Sequence, residues 1–137
     1  MAALVLLGVL ALPGCGAAST PGPPAPTPTP AAVSPVVPDD GLLLRSLGVA
    51  NGPVDSMSLP RTTVFAAIVD QPATVSLVVS EPAAAQVYAY LVRSLPGAGF
   101  TVTAQSPDAS TLTFTGRGWS GSFTGDARAG AVLLRPI

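Results

Sequence analysis

Eight prolines stand between positions 21 and 38, at 21, 23, 24, 26, 28, 30, 35 and 38. Proline inside a helix costs about 3 kcal/mol, and it cannot donate to a central strand. No regular element can run through this tract, so folding is confined to residues 39–137. That length suits one domain with one modest core. Ala, Thr, Ser and Val fill the gaps between the prolines. The composition predicts polyproline II at about 3.1 Å per residue, which makes Thr20 to Pro38 a semi-rigid spacer reaching about 60 Å. Thr20, Thr27, Thr29 and Ser34 lie among these prolines, a composition that favours O-glycosylated stalks.

Upstream of the tract, residues 1–12 form an uninterrupted apolar run, too short to span a bilayer stably. Pro13 and Gly14 break any helix there, and Cys15, the only cysteine in the chain, follows at once. Leu12-Pro13-Gly14-Cys15 resembles the lipobox of bacterial lipoproteins: a leucine, two small residues and an obligatory cysteine. The resemblance implies cleavage between Gly14 and Cys15 and a diacylglyceryl group on the Cys15 thiol. It implies three segments: a signal peptide over 1–14, a lipidated N-terminus with its Pro/Thr-rich linker over 15–38, and an extracytoplasmic domain over 39–137. Two acyl chains make anchoring effectively permanent, whereas one gives only reversible binding. The expected location is the outer face of the cell membrane. No Lys or Arg precedes the apolar run, which a translation start upstream of Met1 would account for.

Charge excludes further classes. Charged residues make up 9% of the chain, against about 25% in typical soluble proteins. There is no lysine or histidine, and the six arginines are scattered singly, so no patch can neutralise a run of phosphates and nucleic acid is not an expected partner. One cysteine cannot form an internal disulfide, and without histidine no Cys/His metal site exists. The absence of lysine, with abundant Ala, Gly, Pro, Val and Thr, fits a GC-rich bacterial coding bias.

The pattern over the last 75 residues predicts an α+β fold of order ββαββββ, one helix packed on an antiparallel sheet. Residues 63–69 and 74–79 read as a strand pair around Asp70-Gln71-Pro72, with Val75, Leu77 and Val79 alternating with polar or outward positions. A helix is predicted over 82–95. Ser80 and Glu81 supply its N-terminal polar groups, Pro82 its first turn and Pro96-Gly97 its stop. Ala84, Val87, Tyr88, Leu91 and Leu95 share one face, and Gln86, Tyr90 and Arg93 the other. Four strands follow, near 100–104, 111–115, 119–124 and 131–135. Residues 39–49 fit either a short helix or a strand.

Ala98-Gly99-Phe100, Leu112-Thr113-Phe114 and Gly118-Trp119-Ser120-Gly121 together resemble a module of small actinobacterial lipoproteins. That resemblance implies no activity and carries over no functional residues.

Catalytic chemistry is scarce. Without histidine or lysine, Ser-His-Asp, Cys-His and Ser-Lys arrangements cannot exist. Asp55, Asp70, Glu81, Asp108 and Asp126 fall in turn or cap contexts, where carboxylates serve the backbone. Gly116-Arg117-Gly118 lacks the lysine and following helix of a phosphate loop. Trp119, with Arg117 beside it, is the pair to consider for ligand contact, by stacking on a sugar or lipid head group. The expectation is a non-enzymatic, lipid-anchored domain without cofactor or metal, serving binding or cell-envelope support. The alternative is a carrier or sensor of a small apolar ligand held between helix and sheet, against Val87, Leu91, Leu112 and Phe114.

Overall fold

A computed structural model describes residues 34–137. Strand β1 (Gly41–Leu43) leads directly into a 3-10 helix (Leu44–Leu47), so residues 39–49 contain both structures that their pattern allows. Strand β2 (Ser58–Pro60) pairs antiparallel with β1 as a two-stranded ribbon. Then come β3 (Val64–Gln71), β4 (Thr74–Glu81), helix α1 (Ala84–Ala98), β5 (Thr101–Gln105), β6 (Thr111–Gly116), β7 (Trp119–Gly125) and β8 (Gly130–Pro136). The fold is α+β: one helix packs against a multi-stranded antiparallel sheet of order β3-β4-β8-β7-β6-β5. The ribbon upstream of β3 is an addition to the ββαββββ pattern.

Turn chemistry fixes the hairpins. Arg117 and Gly118, at φ 53° and 80°, form the two-residue connection between β6 and β7, a left-handed turn that matches strand twist. Asp126 Oδ1 accepts from the backbone of Arg128 and Ala129 at 2.7 and 3.0 Å and closes the β7–β8 connection. Ser106 Oγ accepts from Ser110 and Thr111 at 3.0 and 2.8 Å between β5 and β6.

The helix differs from expectation at both ends. It starts at Ala84 after a non-helical Ala83, with no side-chain cap. Ser80, expected to serve that end, instead donates across the hairpin to the Val64 carbonyl at 3.1 Å. Pro96 does not stop the helix. It sits in the last turn, where a missing N–H costs one bond, and Gly99 at φ 92° ends the helix by donating to Leu95 and Pro96.

One face of the sheet is covered and the other is open. Val75, Leu77 and Val79 of β4, Leu112 and Phe114 of β6, Phe123 of β7, and Val132 and Leu134 of β8 form the covered face. Val87, Leu91 and Leu95 of α1 pack onto it. Leu44, Val49, Val54, Met57 and Leu59, from the segment between β1 and β3, complete the same core. Asp70 ties that segment to the sheet. Its carboxylate accepts from the Ala50 and Asn51 backbone at 2.7 and 2.9 Å and from Asn51 Nδ2 at 3.0 Å.

Tyr90, expected on the outer face of α1, is 3% exposed. The ribbon lies over that face and buries it. A Cβ built on Gly41 would stand 1.7 Å from the Tyr90 hydroxyl, so only glycine lets β1 approach so closely.

Gly121 on β7 is the tightest glycine inside the sheet. A Cβ there would lie 2.3 Å from the Phe114 ring and 2.9 Å from Leu134, both buried. Gly121→Ala is expected to destabilise the domain by about 1–3 kcal/mol, as overpacking does, while Ser122→Ala on the open face stays within about 0.5 kcal/mol. Urea denaturation of the two variants beside wild type checks this.

Candidate functional site

The main cleft lies where the ribbon meets helix α1. It encloses about 440 Å³ and is lined by Asp39, Asp40, Arg61, Gln86, Tyr90 and Arg93, with Pro60, Thr62, Pro82 and Ala89 completing the wall. Each charged group has a local origin. Asp39 and Asp40 form the turn before β1, Arg61 follows β2, and Gln86 and Arg93 lie on the outer face of α1.

One pair of charges in this cleft is joined directly, and Arg61 is held by the backbone. Arg93 donates to Asp40 Oδ2 at 2.6 Å, and its guanidinium lies 5.3 Å from the centre of the Tyr90 ring. Arg61 donates to the Asp39 carbonyl at 3.3 Å. The Arg93 hydrogen bond holds the Asp40 carboxyl below the usual carboxylate range. Burial pushes the Tyr90 phenol above its ordinary value, with the Ser58 hydrogen bond opposing it. The Tyr90 and Ser58 hydroxyls share that bond at 2.7 Å, and Ser58 is 2% exposed. The cleft therefore brings together two carboxylates, two guanidinium groups and a buried phenol, and it can hold a polar group at its rim.

A second, smaller cleft of about 300 Å³ lies on the open face of the sheet. Thr113, Thr115, Ser120, Ser122 and Arg135 line it together with Thr103, whose hydroxyl bonds that of Thr113 at 2.9 Å.

Arg117 and Trp119 are placed by the structure at the β6–β7 hairpin. Arg117 Nε donates to the Ala98 carbonyl at 2.9 Å, so a cation caps the C-terminus of α1, where the helix dipole favours it. Its guanidinium lies across Gly99, where a Cβ would stand 2.5 Å from Nε. Trp119 is half-buried and packs against the core from its edge. Val87, Leu91, Leu112 and Phe114 are at most 1% exposed and fill the space between helix and sheet. Gly14 and Cys15 lie outside the described residues, as do the apolar run before them and most of the proline-rich tract. Among the described residues, no group of His, Cys, Asp or Glu is arranged to hold a metal ion, and no helix is long and apolar enough to cross a membrane.

The cleft residues escaped sequence reasoning because they meet only through the ribbon. Asp40 and Arg93 are 53 positions apart. No family model, curated protein or solved structure matches this chain.

Tyr90→Phe leaves the buried Ser58 hydroxyl without its partner. The expected cost is about 1–3 kcal/mol, read as a lower urea midpoint, and the double variant Tyr90→Phe/Ser58→Ala should recover part of it. Stability also carries a pH signature. Asp40, Asp55, Asp70, Asp108 and Asp126 are all held below the ordinary carboxylate value of 3.8, chiefly by hydrogen bonds to Arg93, Arg45, Ala50, Ser110 and Arg128 respectively. A depressed folded pKa adds stability above the unfolded value and loses it as pH falls through the folded one. With no histidine in the chain, melting temperature should be flat from about pH 5 to 8 and fall below about pH 4. Asp70→Asn should flatten the acid limb, and thermal melts across pH 2.5–8 measure it.

Proposed function

We propose that this chain is a membrane-anchored extracytoplasmic lipoprotein. In this reading residues 1–14 are its signal peptide, Cys15 its lipid-bearing mature N-terminus, residues 15–38 its tether, and residues 39–137 a non-catalytic domain that binds a protein partner at the envelope. The observation that carries the reading is Leu12-Pro13-Gly14-Cys15: the only cysteine of the chain, placed between an apolar leader and a proline-rich spacer. The lack of histidine and lysine, and carboxylates committed to backbone and arginine, support a binding role.

A protein partner is favoured over a carried apolar ligand by where apolar surface is found. The four residues that would line a hollow between helix and sheet are closed off from solvent. Strand β3, in contrast, exposes Val64, Ile68 and Val69 at 49%, 45% and 46%. In a chain with so few charges, this is the apolar surface a partner would cover.

Expression of the full chain with its own leader in a high-GC Gram-positive host, fed an alkyne-bearing palmitate, tests the anchor. The expected result is label on the wild type, partition into the detergent phase, and loss of both in Cys15→Ser. An exported wild-type protein without label would overturn the reading.

A further inference from the structure

The cleft between the ribbon and α1 holds two carboxylates and two guanidinium groups, and only one of each is joined to the other. Arg93 and Asp40 make that pair, at 2.6 Å. Arg61 and Asp39 are neighbours that do not pair. The Arg61 backbone donates to the Asp40 carbonyl at 2.8 Å, which holds the end of β2 against the turn before β1. Its side chain then donates through Nη2 to the Asp39 carbonyl at 3.3 Å, not to the Asp39 carboxylate. That long bond engages one corner of the guanidinium and leaves the rest of its N–H fork open to the cleft. Among the described residues, the Asp39 carboxylate has no hydrogen bond or ion pair, and neither the Gln86 amide nor the Thr62 hydroxyl has a bonding partner. Beside these polar groups the wall is apolar, formed by Pro60, Pro82 and Ala89.

We infer that this cleft is a binding site for a free α-amino acid with an apolar side chain, its carboxylate on Arg61 and its ammonium on Asp39. The inference goes beyond the function proposed above and depends on neither the lipid anchor nor the protein partner. Charge selects the class first. Two aspartates and two arginines sum to zero, so the cleft as a whole favours neither an anion nor a cation. A ligand with one charge satisfies either Arg61 or Asp39 and leaves the other facing it unmatched. A zwitterion satisfies both.

Placement narrows the class further. The Arg61 guanidinium rests on the backbone of the same residue that carries the open carboxylate, so the free cation and the free anion share one wall. In an α-amino acid the two charges sit on one carbon, which matches such a wall. A peptide terminus brings only one of them, and a choline phospholipid head group holds its ammonium several bonds from its phosphate. The planar fork of a guanidinium fits a carboxylate, and a carboxylate accepts from an ammonium. The apolar side chain then lies against Pro60, Pro82 and Ala89. At about 440 Å³ the cleft falls near the lower end of the roughly 300–1,000 Å³ of small-molecule sites, room for one residue and its water. Arg61 and Asp39 are exposed, and exposed ion pairs are individually weak, so half-saturation is expected at about 0.1–1 mM.

The test is a titration of the ¹⁵N-labelled full chain, kept in a non-ionic detergent, with L-leucine, read by amide chemical shifts. Saturable shifts are expected at Arg61, Thr62, Gln86 and Ala89. Leucinamide keeps only the ammonium and 4-methylpentanoate only the carboxylate, and each should bind at least tenfold more weakly. Arg61→Gln and Asp39→Asn should each weaken leucine at least fivefold with an unchanged urea midpoint. They should act oppositely on the single-charge probes: Asp39→Asn tightens 4-methylpentanoate, and Arg61→Gln tightens leucinamide. A merely structural role for either residue would weaken both probes alike and would overturn the assignment. So would the lack of a saturable shift up to about 20 mM leucine, equal affinity for the three probes, or shifts that saturate only away from the cleft. Tighter binding of glycerophosphocholine than of leucine would give the cleft to a lipid head group and overturn the amino acid.

Discussion

Six strands make a sheet about 24 Å wide, and one helix covers a band about 10 Å wide. Everything else in this domain follows from that mismatch. Helix α1 cannot bury the covered face alone, so the segment from Leu44 to Leu59 comes down beside it and supplies a second lid. The lid has little regular structure of its own and must be held at its margins. Asp70 grips Ala50 and Asn51 from the sheet. Arg45 and Asp55 close its own loop, with a 2.7 Å contact between Nη2 and Oδ2. Tyr90 and Ser58 join the lid to the helix through a bond buried from water. The exposed Arg45–Asp55 pair adds little by itself; the buried hydroxyl pair is the costly one to break, since nothing else can satisfy either group.

Much of this arrangement could be read from residue pattern alone. The alternation of Val75, Leu77 and Val79, and of Leu112 and Phe114, assigns those side chains to the core, and all five are buried. The helical spacing of Ala84, Val87, Tyr88, Leu91 and Leu95 also selects buried positions. These inferences worked because they need only local periodicity and one apolar face. Tyr90 failed for the complementary reason. A helix covered on two sides needs two stripes, and the second is set by a ribbon some 30 residues upstream whose own pattern is ambiguous. Pro96 misled because a proline removes one helical bond without ending the helix at its own position: Pro96 to Ala98 stay helical, and Gly99 ends the helix. The cleft was illegible because no local signal links Asp40 to Arg93. The apolar run from Val64 to Val69 was visible, but a strand without alternation reads equally as one buried on both faces or as one exposed on both.

Low charge gives the surface an uneven character. Most acids are occupied: Asp40 by Arg93, Asp55 by Arg45, and Asp70, Asp108 and Asp126 by backbone or hydroxyl donors. What remains for recognition is shape, hydroxyl groups and exposed apolar side chains. Recognition at such a surface would rest on hydrogen bonds and fit more than on long-range attraction, and salt should affect it less than it affects charge-steered complexes.

The last strand of the chain is not at the edge of the sheet. Strand β8 lies between β4 and β7, and it alone joins the β3–β4 hairpin to the three strands that follow the helix. A chain made from its N-terminus holds two separate strand groups until Gly130–Pro136 arrives. Completion of the six-stranded sheet thus waits for Gly130–Pro136, and a chain cut before β8 should hold no continuous sheet.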